Sequence, residues 1–181
     1  MLDLDLAPEI SAAAATPVAD APTPTPTPAP TLAPAPTERA QAVRCGSRWI
    51  AFAYGWARSA VEHAPMSAVP GAPSWLLGAA NVDGRIVAVV DLLAWLEPGR
   101  FGDARAKDAR WLVGGTGDDT VALLFHGLPR LVHVRPQAGK RSQDNDRLAR
   151  FVVGHDPNDA TTLAIDAKAL VDALIEELAL R

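Results

Sequence analysis

Four histidines, one cysteine and two polar loops are the residues of this 181-residue chain whose types could support catalysis or metal binding. His63, His126, His133 and His155 make no HxxxH or HxH pair with a nearby cysteine, whereas a zinc site needs three or four converging ligands. His133 alternates with Val132 and Val134, which reads as a strand position. Gly114–Asp119 (GGTGDD) has the glycines of a phosphate loop but lacks the GK[ST] that would hold phosphates and magnesium, so a hairpin loop is the better account. His155–Thr161 (HDPNDAT) offers Asp156 and Asp159 without the spacing of a calcium loop, and reads as a strand connection. No serine sits in a GxSxG elbow. Cys45 is the single cysteine, so no intrachain disulfide can form, and without a His/Asn constellation a buried or incidental thiol is expected. These residues together predict a protein that is not an enzyme and binds no metal or cofactor. Its function must then lie in surfaces.

The elements that would carry such surfaces are unevenly distributed. Nine of the 16 prolines lie at or before Pro36, and all five tryptophans (Trp49, Trp56, Trp75, Trp95, Trp111) lie after Ser47. Because aromatic side chains carry large burial payloads, the core must be built from the later segment. Residues 1–37 hold Asp3, Asp5, Glu9 and Asp20 with no Lys or Arg, so this stretch carries the whole net charge of −4. The balanced remainder has no broad basic field for nucleic acid or anionic lipid. No run approaches the roughly 18 apolar residues of a membrane span, so direct membrane insertion is not expected. The acidic, Pro8-interrupted start does not read as a secretory signal, and a cytoplasmic location is the simplest expectation.

From Thr16 to Pro36 the chain is almost entirely Ala, Pro and Thr, including the run PTPTPTPAP. Prolines that lack an N–H and extend their predecessors exclude helix there, so residues 1–41 are expected to be a disordered, Pro-rich tether. Met1–Ala15 is mildly amphipathic but too short and uncapped to predict a helix.

Residues 42–181 read as one domain of short strands. Expected strands are Ala42–Cys45, Trp49–Tyr54, Leu76–Val82, Arg85–Val90, Arg110–Val113, Thr120–Phe125, Leu131–Arg135, Phe151–Gly154 and Thr161–Ile165. A short helix or turn is expected at Trp56–Glu62, a loop at Pro65–Pro73, a short helix at Leu92–Leu96 and loop sequence at Glu97–Ala109. The end, DAKALVDALIEELALR, puts Leu170, Val171, Leu174, Ile175 and Leu178 on one stripe of a helix over 167–180. Many short strands divided by Gly, Pro and Asp turns argue for barrels or a sandwich.

The most informative stretch runs from Ser67 to Glu97, SAVPGAPSWLLGAANVDGRIVAVVDLLAWLE. Asp83-Gly84 between two apolar runs predicts a type I′ hairpin, because that turn needs positive φ at both central residues. Asp91 stands where alternation ends, placed to cap the helix beginning at Leu92. The pattern echoes later: Ile86–Leu96 and Thr161–Val171 both run strand, aspartate cap, short helix, with Asp91 matching Asp166. A lobe used twice fits that echo, with lobes at roughly 55–100 and 110–165.

This stretch resembles the signature of the CheW-like family of chemotaxis adaptors. The likeness extends from about Ala42 to Glu177, carried also by RWIAFAYGWARSAVEH (Arg48–His63), TVALLFHGLPRLVHVRP (Thr120–Pro136) and RFVVGHDPNDATTLAIDAKALVDAL. The resemblance implies an all-β fold with short helices, in which two small five-stranded SH3-like barrels pack side by side. It implies a non-catalytic adaptor that couples the cytoplasmic tip of a methyl-accepting chemoreceptor to the regulatory domain of a CheA-type histidine kinase, near membrane receptor arrays. Other CheW-like domains are further partners it suggests. Carried over by position, Val69, Trp75, Leu77, Asn81, Asp83, Gly84, Arg85 and Ile86 fall in the first-lobe signature, and Leu124, Phe125 and His126 in a second-lobe segment facing the groove between lobes. The family commonly has Asn-Leu-Arg-Gly at the turn, whereas this chain has Asn81-Val82-Asp83-Gly84, which inverts the charge. The ANVxG turn also looks like the adaptor branch serving type IV pilus twitching systems. An alternative within the family is a localisation or scaffold module tethered by its Pro-rich tail, without receptor–kinase coupling.

Overall fold

The computed structural model describes residues 36–62, 64–137 and 146–180. The expected tether through residue 35, and His63, lie outside the described residues. The elements are β1 (Glu38–Cys45), β2 (Arg48–Ala53), β3 (Ala57–Glu62), β4 (Met66–Ser67), β5 (Leu76–Val82), β6 (Arg85–Val90), α1 (Leu92–Leu96), β7 (Ala109–Gly114), β8 (Val121–Pro136), β9 (Val152–Asp156), β10 (Asp159–Ile165) and α2 (Ala167–Ala179).

Strand pairing gives one closed ring of five strands and one open run of strands, sharing β8. Ladders β1–β2, β2–β10, β10–β9, β9–β8 and β8–β1 close one barrel of five strands. The other runs β3–β7–β8–β6–β5–β4. β3 and β4 follow one another in sequence with Pro65 before β4, where a missing N–H would break a ladder. We call the run containing β3–β7 the first barrel and the ring containing β1, β2, β9 and β10 the second.

The 16-residue β8 replaces the two separate strands expected at Thr120–Phe125 and Leu131–Arg135. Its first half pairs with β6 and β7, and its second half with β1 and β9. The join is a bulge: β1 pairs Arg44 with His126 but Ala42 with Arg130, so extra residues are extruded around Gly127, whose φ is +80°. Pro129 is tolerated there for the same reason.

Trp56–Glu62, expected as a helix or turn, is mainly strand. Alternating burial along β3 matches its antiparallel pairing with β7, and that pairing overrides the modest strand propensity of Ala and Glu. β1 begins at Glu38, upstream of Ala42, because Glu38 and Arg39 are paired with Val134 and His133.

The echoed lobe ending is present in three dimensions. β6 lies parallel to β8 and β10 parallel to β2, and each then delivers an aspartate to a helix N-terminus. The Ala94 N–H donates to Asp91 Oδ1 at 3.1 Å, and the Ala169 N–H to Asp166 Oδ1 at 3.0 Å. On α2 the residues Leu170, Val171 and Leu174 are buried, but Ile175 is 48% exposed, so the apolar stripe is narrower than its spacing suggested.

Three cores follow from strand alternation. One face of β5–β8 fills the first barrel with Ala80, Val82, Val87, Val89, Trp111, Val113 and Leu124. The second barrel is filled by Ala40, Ala42, Ala51, Val132, Val134 and Ala164. The outward faces meet between the barrels, where Val43, Ile50, Phe52, Leu112, Leu123 and Phe125 pack with Trp95 of α1 and Leu170 of α2.

Candidate docking surface

The β5–β6 hairpin presents most of the signature residues. Asp83 (φ +51°) and Gly84 (φ +80°) are both left-handed, so the turn is type I′ as its sequence predicts. Asn81 Oδ1 accepts the Gly84 N–H at 2.9 Å, which gives this asparagine a turn-holding role. Asn81, Asp83, Gly84, Arg85 and Ile86 are all exposed, and Ile86 is 74% so. A branched apolar side chain held this far into water on a rigid hairpin is suited to a partner surface. Val69, on the loop before β5, is also exposed.

The remaining candidates are divided by the same alternation. Trp75, Leu124 and Phe125 are buried, and their side chains serve the cores. β8 turns Leu124 into the first barrel and Phe125 into the largest core. Leu77 is half-buried against the first core. His126 is half-buried at the β8 bulge, with Nε2 3.1 Å from the Asp103 carbonyl oxygen. It lines a surface groove of about 340 Å³ together with Arg44, Trp49 and Asp108. Leu128, 71% exposed, overhangs the same groove, although the sequence reading did not single it out. The Gly-Leu-Pro break in an otherwise apolar strand is the signal that would have found it.

The loop before the hairpin is held by close backbone approach. A side chain on Gly78 would meet the Ser67 carbonyl oxygen at 2.4 Å, so only glycine lets β4 pair with β5 here. After the hairpin, Asp91 is buried and ties two segments. It caps α1 and its Oδ2 also accepts the Gly102 N–H at 2.6 Å, anchoring the Glu97–Ala109 loop. Nearby, Cys45 is buried and its thiol is pushed up to about 12, first by desolvation and then by the Asp91 charge. Such a thiol is not a nucleophile at neutral pH.

Beside the turn, a depression of about 190 Å³ enters the open end of the first barrel. Val82, Val87 and Val113 form its floor, and Arg58, Asp83 and Arg85 stand on its rim. Arg58 was not among the sequence candidates, because a helix or turn was expected over that segment.

At the second barrel the equivalent end is filled. The Arg130 guanidinium lies 4.0 Å from the centre of the Trp49 ring and pairs with Asp159 at 2.6 Å and with the Thr162 hydroxyl. Hydrogen bonds from Thr161, Arg130 and Thr162 hold the Asp159 carboxyl well below the usual carboxylate range.

Paired barrels, a buried and inert thiol, and an exposed hairpin rimmed by charge define a class of protein that works by presenting surfaces. The chain belongs to the CheW-like domain family, whose description matches residues 40–174. CheW-like domains are non-catalytic scaffolds and adaptors of chemotaxis signalling, which places this protein among scaffolds and not enzymes. Among solved structures, the scaffolding protein TtCheW from Thermoanaerobacter tengcongensis is similar in fold, with a TM-score of 0.59 and 17% identity over 72% of this chain and 89% of that one. Comparison with curated protein sequences finds no match to the chain. Among the described residues no helix is long and apolar enough to cross a membrane.

Proposed function

We propose that this protein is an adaptor that links the cytoplasmic tip of a chemoreceptor to the regulatory domain of a CheA-type histidine kinase, in a flagellar chemotaxis or a type IV pilus array. The observation that carries this reading is family membership over residues 40–174 together with a rigid hairpin that exposes Asn81 to Ile86. In this reading the hairpin and Val69 meet one partner, and the groove lined by His126 meets the other. The location is cytoplasmic, beside membrane-anchored receptors, and other CheW-like domains are additional neighbours. Interfaces with small apolar anchors and a charged rim suit an assembly whose parts exchange.

The test is binding of the purified chain to a cognate kinase regulatory domain and, separately, to a receptor cytoplasmic fragment. Binding to both is expected, with ternary recruitment of kinase to receptor. Failure to bind either one removes the coupling role.

The Ala/Pro/Thr-rich composition before Pro36 favours a second reading, in which the domain is a tethered localisation module. Deleting residues 1–35 separates the two. Array incorporation survives the deletion under the first reading, whereas cellular positioning is lost under the second.

A further inference from the structure

The depression beside the Asp83-Gly84 turn has features that the hairpin surface alone does not explain. Among the described residues β4 pairs with β5 at Ala79 and Ala80. β3 pairs with β7, and its Arg58 and Ser59 line the depression opposite the hairpin residues Val82, Asp83, Arg85 and Val87. Three valines, each less than a tenth exposed, line the opening. An apolar floor under a charged rim is the usual composition of a small specific binding site.

The rim charge indicates what fits. Arg58 and Arg85 contribute two positive charges and Asp83 one negative, which leaves +1. Among the described residues neither the Arg85 nor the Asp83 side chain has a hydrogen-bond or ion-pair partner, and Arg58 has only a 3.5 Å contact with the Gly115 carbonyl oxygen. By contrast, the guanidinium of Arg130 on the second barrel stacks on Trp49 and pairs with Asp159 and Thr162. Guanidinium groups left free beside an apolar hollow are suited to a carboxylate delivered with an aliphatic side chain.

We propose that the open end of the first barrel binds an extended segment of a partner protein, seating one aliphatic side chain on Val82, Val87 and Val113 and an adjacent carboxylate on Arg58 and Arg85. Asp83 subtracts from the attraction and narrows the choice of partner, which gives the inverted charge at this turn a physical role. The proposal rests on the adaptor reading only in supposing that the hairpin faces a partner.

The probe is acetyl-Gly-Ile-Glu-Gly-amide, titrated into the isotope-labelled full chain and followed by NMR, with the Gln and Ala counterparts (Gly-Ile-Gln-Gly, Gly-Ala-Glu-Gly) as controls. Weak, saturable shifts confined to Val82, Val87, Val113, Arg58 and Arg85 are expected, with each control at least about tenfold weaker, since a charge-assisted contact or a buried aliphatic group is worth about 1.5 kcal/mol or more. Arg85→Glu, at an exposed position, should abolish the shifts without altering the fold, and Asp83→Arg should raise affinity about threefold or more. Shifts absent from the valine floor, equal binding of the Gln peptide, or indifference to Arg85→Glu each overturn the proposal. Because no kinase or receptor is present, that result is independent of the adaptor tests.

Discussion

The first barrel is filled by Trp111, Leu124 and a set of valines, whereas the second is filled by four alanines and two valines. Small residues let strands β1, β2, β8 and β10 approach across a narrow interior, and the second ring closes through uninterrupted neighbours. Its mouth is then sealed by Arg130 over Trp49, hydrogen-bonded to Asp159 and Thr162. The first barrel needs larger side chains to fill a wider interior, and its chain leaves strand conformation between β3 and β4. The difference teaches that one lobe is built to hold shape and the other to leave an end accessible, with both attached to a shared strand, β8.

Five substitutions would break or sharpen that contrast. Trp111→Ala removes the largest fully buried side chain of the first barrel and should cost about 3–5 kcal/mol, read as a lower urea midpoint. A loss under about 1 kcal/mol would mean that the first barrel is far looser than its packing implies. Ala42→Leu tests the opposite limit, because the second barrel has no room for added methylenes; about 1–3 kcal/mol of destabilisation is expected. If that variant is as stable as the parent, the narrow-interior account of the second barrel is wrong.

The two echoed caps should differ. Asp166→Ala should cost about 1 kcal/mol as an N-cap loss, while Asp91→Ala should cost about 2 kcal/mol, because it also orphans the Gly102 N–H. Amide exchange at Gly102 should rise in the Asp91 variant alone. Equal losses would show that the loop anchor contributes nothing.

The smallest effect is expected in acid. Asp159 is held below its ordinary range in the folded chain, so its contribution is present above the unfolded value of about 4 and is lost as pH falls below it. Urea midpoints at pH 7 and pH 3 should therefore differ less in Asp159→Asn than in the parent. The same pH slope in both would remove the carboxylate from the plug.

Some of this was written in the local sequence and some was not. The type I′ turn was legible because Asp-Gly tolerates two positive φ values, and the caps were legible because an aspartate at a strand's end has few other uses. The segment 57–62 was misread because two of its three inward positions, Ala57 and Ser59, do not favour strand, and pairing with β7 makes it one. The break at Gly127-Leu128-Pro129 was read as a gap between strands, since glycine and proline mark turns and bulges alike. Among the candidate site residues, those on the hairpin are exposed, whereas Trp75, Leu124 and Phe125 are buried in the cores. Apolar residues in a β run carry no mark of which face they occupy until register is fixed.

The sequence alone determined the local chemistry: where turns bend, which helices are capped, that the thiol has no intrachain disulfide partner, and that the core lies after the Pro-rich stretch. Only the tertiary structure decided that β8 serves both barrels, that Arg130 plugs one mouth and that Arg58 reaches the other beside Asp83. The reason is that turns and caps are fixed by residues within three or four positions, whereas barrel closure and pocket composition depend on pairings dozens of residues apart. Those distant pairings are selected by burial and register summed over the whole domain, which no single segment encodes.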